Sequence, residues 1–200
     1  ISHFCAIILA MDYKIVEVKE NILIENNKKA QELREHLTNK GIYFINVMAS
    51  PGSGKTTLLV NLINRLKNDF SIGVMEADID GDVDADRITK LTGVPSIQVH
   101  TGGTCHLTAQ MVEDAIEAFD IKDINLLILE NVGNLVCPAE FDTIVAISKV
   151  DTLPAFNFDF KKCEENIHNR NKDIPIFKIS ALKDEGIDPL VNTLKEKIIR

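Results

Sequence analysis

An apolar, β-branched run, IYFINVM (42–48), is joined to an amphipathic stretch, TTLLVNLINRLKNDF (56–70), by the segment ASPGSGKTT (49–57). No other feature restricts the fold as tightly. A strand has to turn through glycine directly into a helix, and the turn leaves backbone N–H groups converging at the helix's positive end, where an anion is stabilised. The segment matches G-x-x-x-x-G-K-[ST] except that Ala49 takes the place of the first glycine. Read this way, Gly52, Ser53, Gly54, Lys55, Thr56 and Thr57 hold nucleotide phosphates. Lys55 reaches the β- and γ-phosphates, and Thr56 offers its hydroxyl to Mg²⁺. The competing reading is a chance glycine turn, and the strand before and helix after weigh against it.

The rest of the chain repeats this alternation. Short apolar runs at 71–77, 96–100, 125–131, 143–148 and 174–180 read as strands covered on both faces. Helical patterns fall between most of them, at 84–92, 106–119, 158–171 and 186–199. Such an order predicts an α/β fold, a mostly parallel sheet flanked by helices on both faces. Ahead of it, a loose stripe of Ile22, Leu23, Ala30, Leu33 and Leu37, stopped by Gly41, predicts an N-terminal helix. Three stretches are therefore expected: 1–10 as an added or disordered leader, 11–41 as a helical segment, and 42–200 as one nucleotide-binding domain. With 200 residues, 45% of them hydrophobic, a full core is within reach. A net charge of −8 disfavours nucleic acid or an anionic membrane as the main partner.

Chemistry gathers at the strand ends. LLILENVG puts Glu130 at the end of one strand with Gly133 three residues on. Glu130 is placed to orient a Mg²⁺-bound water, and Gly133 lets a backbone N–H approach the γ-phosphate. Asp78 ends another strand near the same rim, where a sheet of this kind collects its ligands. Asp78 and Asp84 are further candidates for Mg²⁺ or its water shell, whereas Asp80, Asp82 and Asp86 read as a solvated acidic loop. Lys55, Thr56, Asp78 and Glu130 form the expected catalytic set. SKVD (148–151) resembles the guanine-reading N-K-x-D, with Asp151 accepting from guanine N1–H and the 2-amino group and the stem of Lys149 over the base. Ser148 replaces the Asn. SAL (Ser180, Ala181, Leu182) resembles the loop that closes on guanine O6. Adenine lacks donors for Asp151, so GTP and GDP are favoured over their adenine counterparts.

HTGGTCHLT (100–108) sets a thiol beside an imidazole, and Cys137 lies four residues after Gly133. Four scattered cysteines (Cys5, Cys105, Cys137, Cys163) make no disulfide framework, and a reduced, cytoplasmic setting follows. On composition alone, Cys105 and Cys137 read more readily as small core residues than as ligands. A thiolate and imidazole set would otherwise suit tetrahedral Zn²⁺ or tetragonal Ni²⁺.

ASPGSGKTTLL, PSIQVHTGGTCHLTAQMV and LILENVGNLVCPAEFD together resemble the hydrogenase nickel-incorporation GTPases, the HypB family. SKVDTLPAFNFDFKKC and ISALKDEGID extend the likeness over roughly residues 42–199. The resemblance implies a SIMIBI-type G domain that hydrolyses GTP to GDP and phosphate, and a metal site formed by Cys105, His106 and Cys137. It further implies Ni²⁺ at that site, with Zn²⁺ as the other occupant, and a homodimer promoted by GTP. Its partners would be a small zinc-containing nickel chaperone and the precursor of the [NiFe] hydrogenase large subunit. The urease accessory GTPases are the alternative, but their Cys-Pro-His loop is absent. A βαβ unit takes about thirty residues, and too few lie between Glu130 and Ser148 to hold the strand and helix that the family has there. Residues are accordingly expected to be missing between Thr143 and Ile144.

Overall fold

A computed structural model of the chain describes residues 20–47, 52–78, 83–100, 107–119, 121–131, 144–155, 158–169 and 172–199. Helix α1 (Glu20–Asn39) leads. It stops where Gly41, at φ +72°, lets the Ile42 N–H turn back to the Leu37 carbonyl at 2.9 Å. Next come β1 (Tyr43–Val47), α2 (Lys55–Leu66), β2 (Ile72–Asp78), α3 (Val83–Thr92), β3 (Ser96–His100), α4 (Ala109–Ala118) and β4 (Leu126–Glu130). The chain continues through β5 (Val145–Ile147), a 3₁₀ turn (Val150–Ala155), α5 (Phe160–His168), β6 (Ile176–Lys178) and α6 (Ile187–Ile199).

Four strands form a parallel sheet in the order β1-β4-β2-β3. All five residues of β4, an interior strand, are buried, as its unbroken apolar sequence requires. Alternate side chains feed two cores. Val74, Leu126 and Ile128 meet Leu59, Ile63 and Leu66 of α2, Ile88 of α3 and Leu190 and Leu194 of α6. On the other face Met75, Leu127 and Leu129 meet Leu33 and Leu37 of α1 and Val112 and Ile116 of α4. Helix α1 is fastened to α4 by polar contacts as well. Asn26 accepts the Ala109 N–H at 2.8 Å, and Lys29 pairs with Glu113 at 2.6 Å.

The sheet comes in two pieces. β5 and β6 pair with each other in parallel, Val145 opposite Ile176 and Ile147 opposite Lys178, and among the described residues neither joins the ladder of β1. The packing reflects it: α5 buries no residue, and β5 and β6 are only half-buried. They join the main body through α6, whose Ile187, Leu190, Val191 and Leu194 pack into the α2 core, and through Ile179, buried in that core, with Ile144 and Phe177 packed against it.

Candidate nucleotide-binding site

The phosphate loop is built on two left-handed glycines. Gly52 sits at φ +70° and Gly54, the residue capping α2, at φ +94°. A Cβ on Gly52 would meet nothing within 4 Å, and one on Gly54 only Lys149 Cε at 3.7 Å. Glycine is therefore required by backbone conformation, not by space. No side chain caps α2, so its first N–H groups face outward for an anion.

One carboxylate oxygen organises the start of α2. Thr56 donates its hydroxyl hydrogen to Glu130 Oε1 at 3.0 Å, and Lys55 Nζ lies 3.9 Å from the same oxygen. Glu130, at the end of the central strand β4, is 2% exposed. A hydroxyl has one hydrogen and two lone pairs, so donation to Glu130 leaves the Thr56 lone pairs for a cation. Hydroxyl and carboxylate oxygens are the hard donors that Mg²⁺ prefers, and these two residues fit it.

Sequence reasoning passed over a neighbour. Glu76 of β2 is paired in register with Glu130, and Gln98 of β3 follows in register with Glu76. Both carboxylates continue the face that carries Val74 and Ile128, so they stand side by side above that core. Glu76 is 3% exposed. The signal was a charged residue within a strand buried on both faces, where carboxylates are rarely kept without purpose. Asp78 lies one step beyond, paired with His100 in the backbone register.

The SKVD turn (148–151) meets the phosphate loop directly, and the SAL segment (180–182) meets helix α2. Ser148 donates its hydroxyl to the Ser53 carbonyl at 2.8 Å, and Lys149, itself at φ +57°, donates Nζ to the Gly52 carbonyl at 2.6 Å. Ser180 is fully buried, and its hydroxyl accepts the Lys183 N–H at 3.2 Å. The same hydroxyl, hydrogen-bonded to Asp151, holds that carboxyl below the usual range, helped by the Asp151 backbone N–H and the charges of Lys183 and Lys149. Asp151 is thus held as an ionised acceptor. Asn61 of α2 donates to the Ala181 carbonyl at 3.2 Å, tying the second loop to the first helix, while Leu182 is 85% exposed at the loop's tip. Neither Asn61 nor the Ser148 tether was foreseen.

The expected nucleotide ligands Gly52, Ser53, Gly54, Lys55, Thr56, Thr57, Lys149, Asp151, Ser180, Ala181 and Leu182 are thus described, as is Glu130. Gly133, Cys105, His106 and Cys137 lie outside the described residues, as do the side chains of Asp78 and Asp84. Asp86, read as solvated, is exposed and pairs with Lys90 one helical turn on. Among the described residues no three His, Cys, Asp or Glu side chains gather around a metal position, and no helix is long and apolar enough to cross a membrane.

Residues 43–149 match the family described as CobW/HypB/UreG, nucleotide-binding domain. The Escherichia coli (strain K12) hydrogenase maturation factor HypB is 37% identical over 211 residues, taking in 91% of this chain and 72% of that protein. This chain belongs to the HypB family. The Helicobacter pylori (strain 26695) hydrogenase/urease maturation factor HypB is 35% identical over 217 residues, covering 92% of this chain and 88% of its own. Among solved structures, HypB from Helicobacter pylori in complex with nickel superposes with a TM-score of 0.77 at 34% identity, covering 87% of this chain and 95% of that one. HypB from Archaeoglobus fulgidus gives the same TM-score at 27% identity, over 88% of this chain and all of the other. The fold is that of a P-loop G domain, and the chain is a homologue of the hydrogenase maturation factors. It is also shorter within the aligned stretch. The Escherichia coli alignment has 211 positions, while 91% of 200 residues is about 182, so about 29 positions face no residue of this HypB chain.

Proposed function

We propose that this HypB chain hydrolyses GTP and couples GTP binding and hydrolysis to the delivery of nickel during [NiFe] hydrogenase maturation. The observation that carries the reading is the joint contact of Thr56 and Lys55 with one oxygen of Glu130, in a loop that the guanine-type motif touches through Ser148 and Lys149.

The residues divide the work. N–H groups at the α2 start and the Lys55 ammonium neutralise charge on the β- and γ-phosphates as the bond to the γ-phosphorus breaks. Thr56 and Glu130, with Asp78 and Asp84, would hold Mg²⁺ or its water shell. When bound, that ion draws charge from the phosphate oxygens. Glu130, kept in place by Thr56, orients the attacking water, and Asp151 with the 180–182 loop fixes the base. Cytoplasmic chemistry of this kind needs no disulfide, in keeping with four scattered cysteines.

Nickel is the cargo. Cys105, His106 and Cys137 are its proposed ligands, pooled across a GTP-promoted homodimer, with Zn²⁺ able to compete for a thiolate and imidazole set. Support comes from the nickel complex of the Helicobacter pylori relative. Gly133 and Cys137 follow Glu130 by three and seven residues in sequence, so a γ-phosphate bound at Gly133 alters nickel affinity at Cys137. The nickel comes from a small zinc-containing chaperone and goes to the hydrogenase large-subunit precursor.

We also place the shortfall of about 29 positions between Thr143 and Ile144, as one strand–helix unit of about thirty residues. The interruption between β1 and β5 is where such a strand would lie. Residues 42–200 form the G domain, and 11–41 the helical segment ahead of it.

The test is phosphate release from GTP and from ATP, with nickel affinity measured beside GDP and beside a non-hydrolysable GTP analogue. GTP turnover and a nickel affinity that differs at least fivefold between the two nucleotides are expected. Equal affinities would remove the coupling, and turnover of ATP alone would remove the GTPase reading.

A further inference from the structure

Ser148 has one hydroxyl hydrogen, and it is given to the Ser53 carbonyl at 2.8 Å. The next two residues are committed as well. Lys149 Nζ donates to the Gly52 carbonyl at 2.6 Å, and the Val150 N–H to the Ile179 carbonyl at 3.1 Å. What Ser148 retains is a pair of acceptor lone pairs. Guanine presents N7 and O6 on one edge, both acceptors, so the hydroxyl has nothing to offer there.

The other edge is provided for. Asp151 follows three residues later, an acceptor for the N1–H and 2-amino donors. On the guanine reading above, O6 would face the loop after β6, where the Ser180 N–H is taken by the Glu185 carbonyl at 3.0 Å and the Lys183 N–H by Ser180 Oγ at 3.2 Å. The N–H groups of Ala181 and Leu182 stand outside those two bonds.

We infer that this protein reads guanine along the N1–H edge, through N1–H, the 2-amino group and O6 (an atom that borders both edges), and that Ser148 leaves N7 unread because it spends its hydrogen on the phosphate loop. The inference rests on the guanine-nucleotide reading above. In this arrangement Ser148 is a positioning residue. It joins the base-reading turn to the loop that holds the phosphates, and what it adds to affinity is independent of N7.

Titration of the purified, full-length protein with GDP, 7-deaza-GDP and ADP separates the possibilities. GDP and 7-deaza-GDP are expected to bind within twofold of each other, with ADP at least a hundredfold weaker. Ser148→Ala should weaken both guanine nucleotides by the same factor, roughly three- to tenfold for one tether. Ser148→Asn, which brings an amide donor, should create a preference for GDP over 7-deaza-GDP of at least threefold. A tenfold or greater preference for GDP in the natural protein, or a Ser148→Ala loss confined to GDP, overturns the inference while leaving the guanine reading intact. Equal binding of ADP and GDP overturns the guanine reading itself, and this inference with it.

Discussion

Thr56 Oγ1 and Glu130 Oε1 lie 3.0 Å apart across 74 positions of sequence, the hydroxyl donating. That contact ties the first turn of α2 to the end of the central strand. It also means that Lys55 and Thr56, read from one motif, answer to the same carboxylate oxygen. Replacement of Glu130 by Gln keeps the shape and the hydrogen-bond acceptor but removes the charge. Phosphate release from GTP is expected to fall about a hundredfold, the scale of losing one charge-aligning group, while GDP affinity changes less than fivefold. Steady-state turnover beside equilibrium titration checks the split. A parallel loss in both would make Glu130 a binding residue only.

Asp151→Asn should lower GDP affinity about a hundredfold, because one acceptor oxygen is exchanged for an amide that faces the guanine donors. Xanthosine diphosphate, which carries an acceptor where guanine has its amino group, should gain in the same variant. Competition binding with the two diphosphates decides it.

The Asp151 carboxyl, held low first by the Ser180 hydroxyl, sets a pH dependence. A depressed carboxylate is charged above its folded value and loses its contribution as pH falls through that value. GDP affinity should therefore stay level from pH 7 to pH 5 as far as this group is concerned, and decline only below the ordinary carboxylate range. Removing the hydroxyl with Ser180→Ala should move that decline to higher pH. Binding curves at stepped pH, with the variant alongside, show whether the midpoint shifts.

Two glycine substitutions should differ in a defined way. Gly54→Ala forces a left-handed residue at φ +94° but meets only a side-chain atom at ordinary contact distance. Its cost is backbone strain of about 1–2 kcal/mol, a fall in melting temperature of roughly 2–8 °C. Gly186→Ala adds a collision with the Lys178 carbonyl oxygen to a φ of +72°, and β6 would have to move. Thermal unfolding should rank Gly186→Ala well below Gly54→Ala.

The Lys29–Glu113 pair fastening α1 to α4 is 2.6 Å long. Glu113 is held below its usual value, chiefly by the Lys29 hydrogen bond, and Lys29 above its own, chiefly by Glu113. The pair's contribution is thus complete between the two ordinary values. It disappears as pH falls through the lowered Glu113 value or rises through the raised Lys29 value. Limited proteolysis near α1 should be flat across neutral pH and rise at both extremes, and Glu113→Gln should abolish the acid limb.

The order of elements and the phosphate loop were legible because both are local: glycine at left-handed positions, apolar runs and helical periodicity carry them. SKVD and SAL were legible as two motifs that each follow a strand, but the hydrogen bond between Asp151 and Ser180 was not. Glu76 was not, since nothing in its own neighbourhood says that its register partner is Glu130. Neither was the use of Ser148. A serine where asparagine is usual looks like a lost contact until the fold shows the Ser53 carbonyl waiting for it. Long-range register and the spending of a single hydrogen leave no trace in periodicity.

Division of the sheet into a four-stranded and a two-stranded piece leaves the β5–β6 half attached by α6 on α2, by Ile144, Phe177 and Ile179 against the same core, and by polar stitches: Ser148 to Ser53, Lys149 to Gly52, Asn61 to Ala181, and Arg65 to Asp184 and Asp188. On the proposed reading, a nucleotide has its phosphates on one piece and its base on the other and is a girder across that seam. Amide exchange in β5, β6 and α5 should slow on adding GDP far more than exchange in β4, whose burial owes nothing to ligand. Rigidity in this half of the molecule is on loan from the guest it was shaped to receive.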